Sequence, residues 1–276
     1  MSTTTTSGST IDLSRPAIPF SREVRVELRK MFDTRGGLWL FIITGGLLLL
    51  AMVLTLLVLA LNDDVTITAS GFSQIMTIPL SILLPVFAIL SVSSEWSQRT
   101  HLTTFSLQPH RGRVIGAKFA AVTLLALGTL VLAAVFGALG NVLYGMLTDH
   151  DVVWNLTGKE LLWTVVLQLA FFWMAFAFAM LLLNTPAAVA SFYVVALILP
   201  LVAYPILMAL FGWARDLLPW LDFNYAATPL IAGEDVMGNS VDVGALEYLR
   251  FAFTFCLWVV VPGVLGYLRV QRTEVK

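Results

Sequence analysis

Charge is scarce in this chain. Asp, Glu, Lys and Arg make up 12% of its 276 residues, about half the share of an ordinary soluble domain. Hydrophobic residues make up 58% and the mean hydropathy is +0.87, which places the chain in lipid. Cysteine occurs once, as Cys256, so a disulfide framework and a cysteine metal site are excluded. Its place in a hydrophobic run predicts a buried structural thiol. The three histidines, His101, His110 and His150, fall in polar stretches. No run matches GxxxxGK[ST], HExxH or GxSxG, so the sequence offers no phosphate-cradling loop, zinc site or nucleophile elbow. The chain is therefore expected not to be an enzyme and to hold no cofactor or metal. A net charge of −1 gives no reason to expect a nucleic-acid partner.

A second absence lies inside the hydrophobic runs. None has Asp, Glu, Lys, Arg or His near its centre; Gln74, Asn141 and Gln168 are their main polar side chains. Carriers driven by protons or ions keep a titratable group at membrane depth. If this protein moves something, its energy is expected from outside the spans.

The hydrophobic runs predict an all-α integral membrane protein, with an N-terminal interfacial helix and six transmembrane helices. Residues 1–19 are Ser/Thr-rich, lack a signal-peptide core and are expected to form a disordered tail, so insertion would rely on the first span. Residues 20–276 form one membrane domain. Over 20–35, Ser21 is the expected N-cap and Val24, Leu28, Met31 and Phe32 share one face. Arg22, Arg25, Arg29 and Lys30 lie elsewhere on the helix, a pattern for the headgroup region. Spans are expected at 38–61, 72–92, 115–147, 161–183, 187–211 and 251–268. Pro79, Pro85, Pro200, Pro205 and Pro262 lie inside them and are expected to bend them. Lys118 is expected to snorkel, and Asn141 and Tyr144 to reach the far interface. Asn155-Leu156-Thr157 matches a glycosylation acceptor, a pattern too common to carry weight here. Residues 212–247 mix Trp213, Leu217, Trp220 and Phe223 with Arg215, Asp216 and Asp222, which suits short helices or a re-entrant piece half-sunk at the outer interface.

Six spans put both termini on one side. That side holds 13 of the 16 Lys/Arg; only Lys159, Arg215 and Arg250 lie opposite. The positive-inside rule makes both termini cytoplasmic in a multi-pass protein of the plasma membrane.

The long polar stretch on the basic side, 93–114, then stands out as a cytoplasmic loop. It contains Glu95-Trp96-Ser97-Gln98-Arg99-Thr100 and Pro109-His110-Arg111-Gly112-Arg113, and Lys118 follows it. Glu95 after the second span, Thr100 five residues on, then Pro109, Arg111 and Lys118 before the third span resemble the pattern of short, actinobacterial-style permease subunits of ABC-2-type transporters. Where that family often has Gly before the Thr, this chain has Arg99.

The resemblance implies an ABC-2, type V exporter-like architecture. It implies that 93–114 is a coupling loop with a short helix over 100–107 seated on a separate ATPase. Leu102 and Phe105, with Leu107, would supply apolar contact, and Glu95, Arg99 and Arg111 would fix orientation. ATP and Mg would be bound by the ATP-binding subunit. A second permease copy, identical or not, and membrane lipid complete the expected partners. The exported cargo is left open among a hydrophobic drug, an antibiotic and a lipid-like molecule. The alternative is a six-span immunity, sensor or scaffold protein with no transport cycle.

Overall fold

A computed structural model describes residues 18–62, 65–97, 110–148 and 151–272. Among them every regular element is a helix, apart from one isolated bridge, Glu234 to Ser240. A short helix α1 (Phe20–Asp33) precedes α2 (Arg35–Ala60), α3 (Ala69–Ser97), α4 (Arg111–Leu147), α5 (Gly158–Leu182) and α6 (Thr185–Leu210). Then come α7 (Gly212–Leu217), a 3₁₀ turn (Leu218–Trp220), α8 (Phe223–Ala232) and α9 (Ala245–Arg272). The helices α2 to α6 and α9 are each long and apolar enough to cross a membrane, and the chain is a multi-pass membrane protein.

Most helices overrun the expected spans because polar residues start or prolong them outside the apolar run. Thr34 caps α2 by accepting the Gly37 N–H at 3.1 Å. Thr157 caps α5 by accepting the Glu160 N–H at 3.2 Å, and Asn184 caps α6 by accepting the Ala187 N–H at 3.0 Å. Ser21 does not cap α1; Pro19 does, with its carbonyl accepting the Arg22 N–H at 3.0 Å. Proline's fixed φ suits that entry position.

The helix α5 is the centre of the bundle. Of residues 170–180 all but Trp173 are buried, as expected of a helix that is apolar all round. It packs on α3 and on the second half of α9, while α2 covers α3 and α4. Gly266 lets α9 approach α5 closely: a Cβ there would lie 2.7 Å from the Leu181 nitrogen, the close packing that small residues permit in membranes. The helix α6 is the most peripheral, with 11% of its most apolar stretch buried against 61% for α5.

Pro200 and Pro205 of α6 and Pro262 of α9 sit in or beside π-helical turns, Val194–Ala203 and Cys256–Val260. There the Tyr204 N–H reaches the Leu199 carbonyl and the Val261 N–H reaches that of Cys256. Proline has no N–H and clashes with the carbonyl one turn back, and widening the turn relieves that clash. Cys256, expected to be buried, is exposed. In a membrane bundle an apolar residue can be outward-facing, because lipid replaces a core as its surroundings.

The far end is closed by a loop. Asn141 and Tyr144 are both buried, because residues 151–157 fold back over the helix ends. Asn141 donates to the Val153 carbonyl at 3.3 Å, and Asn155 accepts the Ser70 N–H at 3.1 Å. The connection 212–247 forms short helices. Thr254 donates to the Trp220 carbonyl at 3.1 Å and the Trp258 indole to that of Leu221 at 2.7 Å, pinning the connection to α9.

Candidate functional site

At the end of the bundle that holds α1, four charged side chains from three helices meet. Lys118 on α4 donates to Glu27 on α1 at 2.7 Å and to Glu95 on α3 at 2.7 Å. Lys30 on α1 donates to Glu27 at 2.7 Å and to Glu95 at 3.3 Å. Lys118, Glu27 and Glu95 are 6%, 9% and 13% exposed, whereas Lys30 is 45% exposed. Two carboxylates and two ammonium groups balance, which is the condition for burying charge without a large penalty.

Local structure explains the convergence. The helix α3 runs on through Ser93 and Ser94 to Ser97, so Glu95 sits on its last turn. Ser93 and Ser94 donate to the carbonyls of Ile89 and Leu90, which suits a helix end. The helix α4 has 37 residues, roughly 55 Å of length against the 30 Å of hydrocarbon. Its surplus first turns are where α1 docks. Lys118 is thus buried and paired, and does not snorkel. On α1 the buried face is Val24, Glu27 and Met31. Phe32, expected on that face, is exposed and stacks on Phe41 of α2 at 4.4 Å between centroids.

Burial pushes the Glu27 carboxyl up, but the Lys118 charge and hydrogen bonds from Lys118 and Lys30 outweigh it and hold the group below its ordinary 4.5. Burial pulls the Lys30 ammonium down, but Glu27 and Glu95 outweigh that and raise it above its ordinary 10.5.

Further contacts extend the same base. Arg113 pairs with Glu23 at 2.9 Å and donates to the Ile18 carbonyl at 2.7 Å. Arg111, at the start of α4, donates to the carbonyls of Val270 at 2.9 Å and Gln271 at 3.2 Å, at the end of α9. Arg269 donates to the Leu181 carbonyl, at the end of α5. A cation there suits the negative pole of a helix dipole.

Of the residues singled out in the sequence, Glu95 and Lys118 therefore come together, and Arg111 faces the end of α9. Arg99, Thr100, Leu102, Phe105 and Pro109 lie outside the described residues. Arg22, Arg25 and Arg29 are exposed, with Arg29 paired to Asp33 at 2.9 Å; Lys30 alone of that group turns into the cluster. Glu27 was missed. Its signal was present: an acid spaced i+3 from Val24 and i−4 from Met31, on the apolar face, three residues before a lysine.

Beside the cluster lies a cavity of about 530 Å³ between α1, α2 and α3, with Leu40, Phe87 and Leu90 along its wall and Lys30 and Glu95 at its polar end. At the other end of the protein, Asp222 caps α8 by accepting the N–H groups of Asn224 at 2.8 Å and Tyr225 at 3.1 Å. Its burial pushes the carboxyl up to about 6 against the lowering effect of those two bonds.

Protein-family models give no match to the chain, and a search of curated proteins finds no relative at significance.

Proposed function

We propose that this chain is the permease subunit of an ATP-driven exporter of ABC-2 type, one of two permease copies working with a separate ATP-binding subunit. The observation that carries the proposal is the distribution of ionisable groups. Every Asp, Glu, Lys and Arg in the six long helices lies within the first or last eight residues of its helix. No acid or base stands at mid-depth to couple movement to a proton or ion, so energy must enter at an end. At the α1 end, the Glu27, Lys30, Glu95 and Lys118 cluster joins α1, α3 and α4. Arg111 and Arg269 add α9 and α5. A push on α1 or on the 98–110 connection would reach four long helices through direct polar contacts.

The order Glu95, Thr100, Pro109, Arg111, Lys118 supports the same proposal by resemblance, as does the excess of Lys/Arg that would put this end in the cytoplasm. ATP and Mg would belong to the partner, and the cargo would be apolar or amphipathic.

The test is co-purification of the tagged full chain in mild detergent. An ATP-binding cassette protein should be recovered with the wild type and lost when residues 98–109 are scrambled, a change that leaves Glu95, Arg111 and Lys118 in place. Recovery of the intact chain without any ATPase, under conditions where a known transporter pair survives, would favour the six-span protein with no transport cycle.

A further inference from the structure

The cavity beside the charge cluster has a chemistry that the transport proposal does not use. Its wall is apolar: Leu40 of α2 with Phe87 and Leu90 of α3. All four members of the cluster line its polar end; Lys30 is the half-exposed one, while Glu27, Glu95 and Lys118 are 9%, 13% and 6% exposed. The cluster is neutral as a whole, and its most exposed group is the Lys30 ammonium. Lys30 uses two of its three N–H groups on Glu27 and Glu95, among the described residues, and the Glu95 contact is the longer at 3.3 Å. One donor remains for an anion.

The position also matters. The cavity opens where α2 begins, at Thr34, Gly36 and Gly37, one turn before Trp39, which is 62% exposed. An exposed Trp at the start of a span marks headgroup level. Next along α2 come the exposed Ile42 and Ile43, a surface for acyl chains. A volume of about 530 Å³ falls in the roughly 300–1,000 Å³ range of sites that hold a small molecule.

We propose that this cavity binds one glycerophospholipid of the leaflet on the α1 side, its phosphate on the Lys30 ammonium and an acyl chain along Leu40, Phe87 and Leu90. The lipid would then be a wedge between α1 and the spans, seated against the ion cluster itself. An apolar wall without the cation would suit any hydrocarbon, and the cation without the wall would suit any soluble anion. Their joint placement at headgroup level selects an amphiphile with an anionic head.

Native mass spectrometry of the delipidated full chain, titrated with phosphatidylglycerol, tests this. One molecule per chain should bind. Diacylglycerol with the same acyl chains should bind at least about tenfold more weakly, since it loses a hydrogen bond to a charged group. Inorganic phosphate should not displace the phospholipid. Lys30→Gln should weaken phosphatidylglycerol binding about tenfold on the same grounds, and Arg29→Gln, one residue away on the exposed face, should leave it unchanged. Gly36→Leu should abolish binding by filling the mouth, since a Cβ there meets nothing within 4 Å and the fold has room for it. Absence of a bound lipid would overturn the proposal. So would equal binding of phosphatidylglycerol and diacylglycerol, or equal losses in Arg29→Gln and Lys30→Gln, the mark of general charge attraction. If Gly36→Leu does not elute as a single species, the pair of charge variants decides alone. None of these outcomes depends on an ATPase partner.

Discussion

The Lys118 ammonium lies 2.7 Å from the Glu27 carboxylate, across 91 residues of chain, with the lysine 6% and the glutamate 9% exposed. In water such a pair contributes little. Buried, it makes each partner dependent on the other, because removing one leaves an uncompensated charge. This pair fastens α1 to α4, and its twin to Glu95 ties α4 to α3.

Lys118→Met should lower stability in detergent by about 3–5 kcal/mol, as for a broken buried ion pair. Lys30→Met should lower it far less, since that side chain is half exposed and its pairs are screened by solvent. Thermal unfolding of the two variants gives the order. Adding Glu95→Gln to Lys118→Met should recover part of the loss; full additivity would mean that Lys118 and Glu95 do not interact.

The corner between α1 and α2 requires a glycine at one position only. A Cβ on Gly37 would lie 1.7 Å from the Met31 carbonyl oxygen, whereas one on Gly36 meets nothing within 4 Å. Gly37→Ala should destabilise by at least about 2 kcal/mol, since the obstacle is backbone. Gly36→Ala should be neutral or stabilise by up to about 1 kcal/mol, as alanine does at a compatible helical site. Melting temperatures moving in the same direction would refute the corner geometry.

Asp222 predicts a pH dependence. Its folded-state value of about 6 is raised above the ordinary 3.8, so the native state holds this proton after the unfolded state has released it. Stability should fall as pH rises from about 4 to 6 and then level off. The difference of about two pH units amounts to about 3 kcal/mol. Asp222→Asn keeps an oxygen for the Asn224 and Tyr225 N–H groups and removes the titration. Unfolding of both proteins between pH 4 and 7 should show the wild type losing stability relative to the variant; parallel curves would mean that Asp222 is solvated. Glu27 acts in the opposite sense: its depressed value stabilises above about 4.5, and that contribution is lost only as the solution becomes more acid.

Arg111→Gln should release the end of α9. Two carbonyl contacts and a favourable charge at a helix C-terminus are together worth about 1–3 kcal/mol. Faster amide hydrogen exchange over 266–272, with the middle of α9 unchanged, is the expected signature. Unchanged exchange at that end would show the contacts to be incidental.

Hydropathy alone was enough to read membrane residence, six spans and a separate N-terminal helix, because a bilayer of fixed thickness demands apolar runs of fixed length. Near-absence of charge within those runs was legible for the same reason. Helix ends were read short by a few residues because polar caps such as Thr34 and Asn184 start a helix before the apolar run begins. Burial was not legible: Cys256 was expected to be buried and is exposed, since an apolar neighbourhood in sequence does not distinguish lipid from protein. Nor were the partners of the charges. Lys118 read as a snorkelling group, Glu95 and Arg111 as groups of a loop that meets an ATPase, and Glu27 did not stand out. Which carboxylate meets which ammonium depends on how α1 docks against the surplus length of α4. That docking is decided by packing between helices distant in sequence, and local pattern holds no record of it.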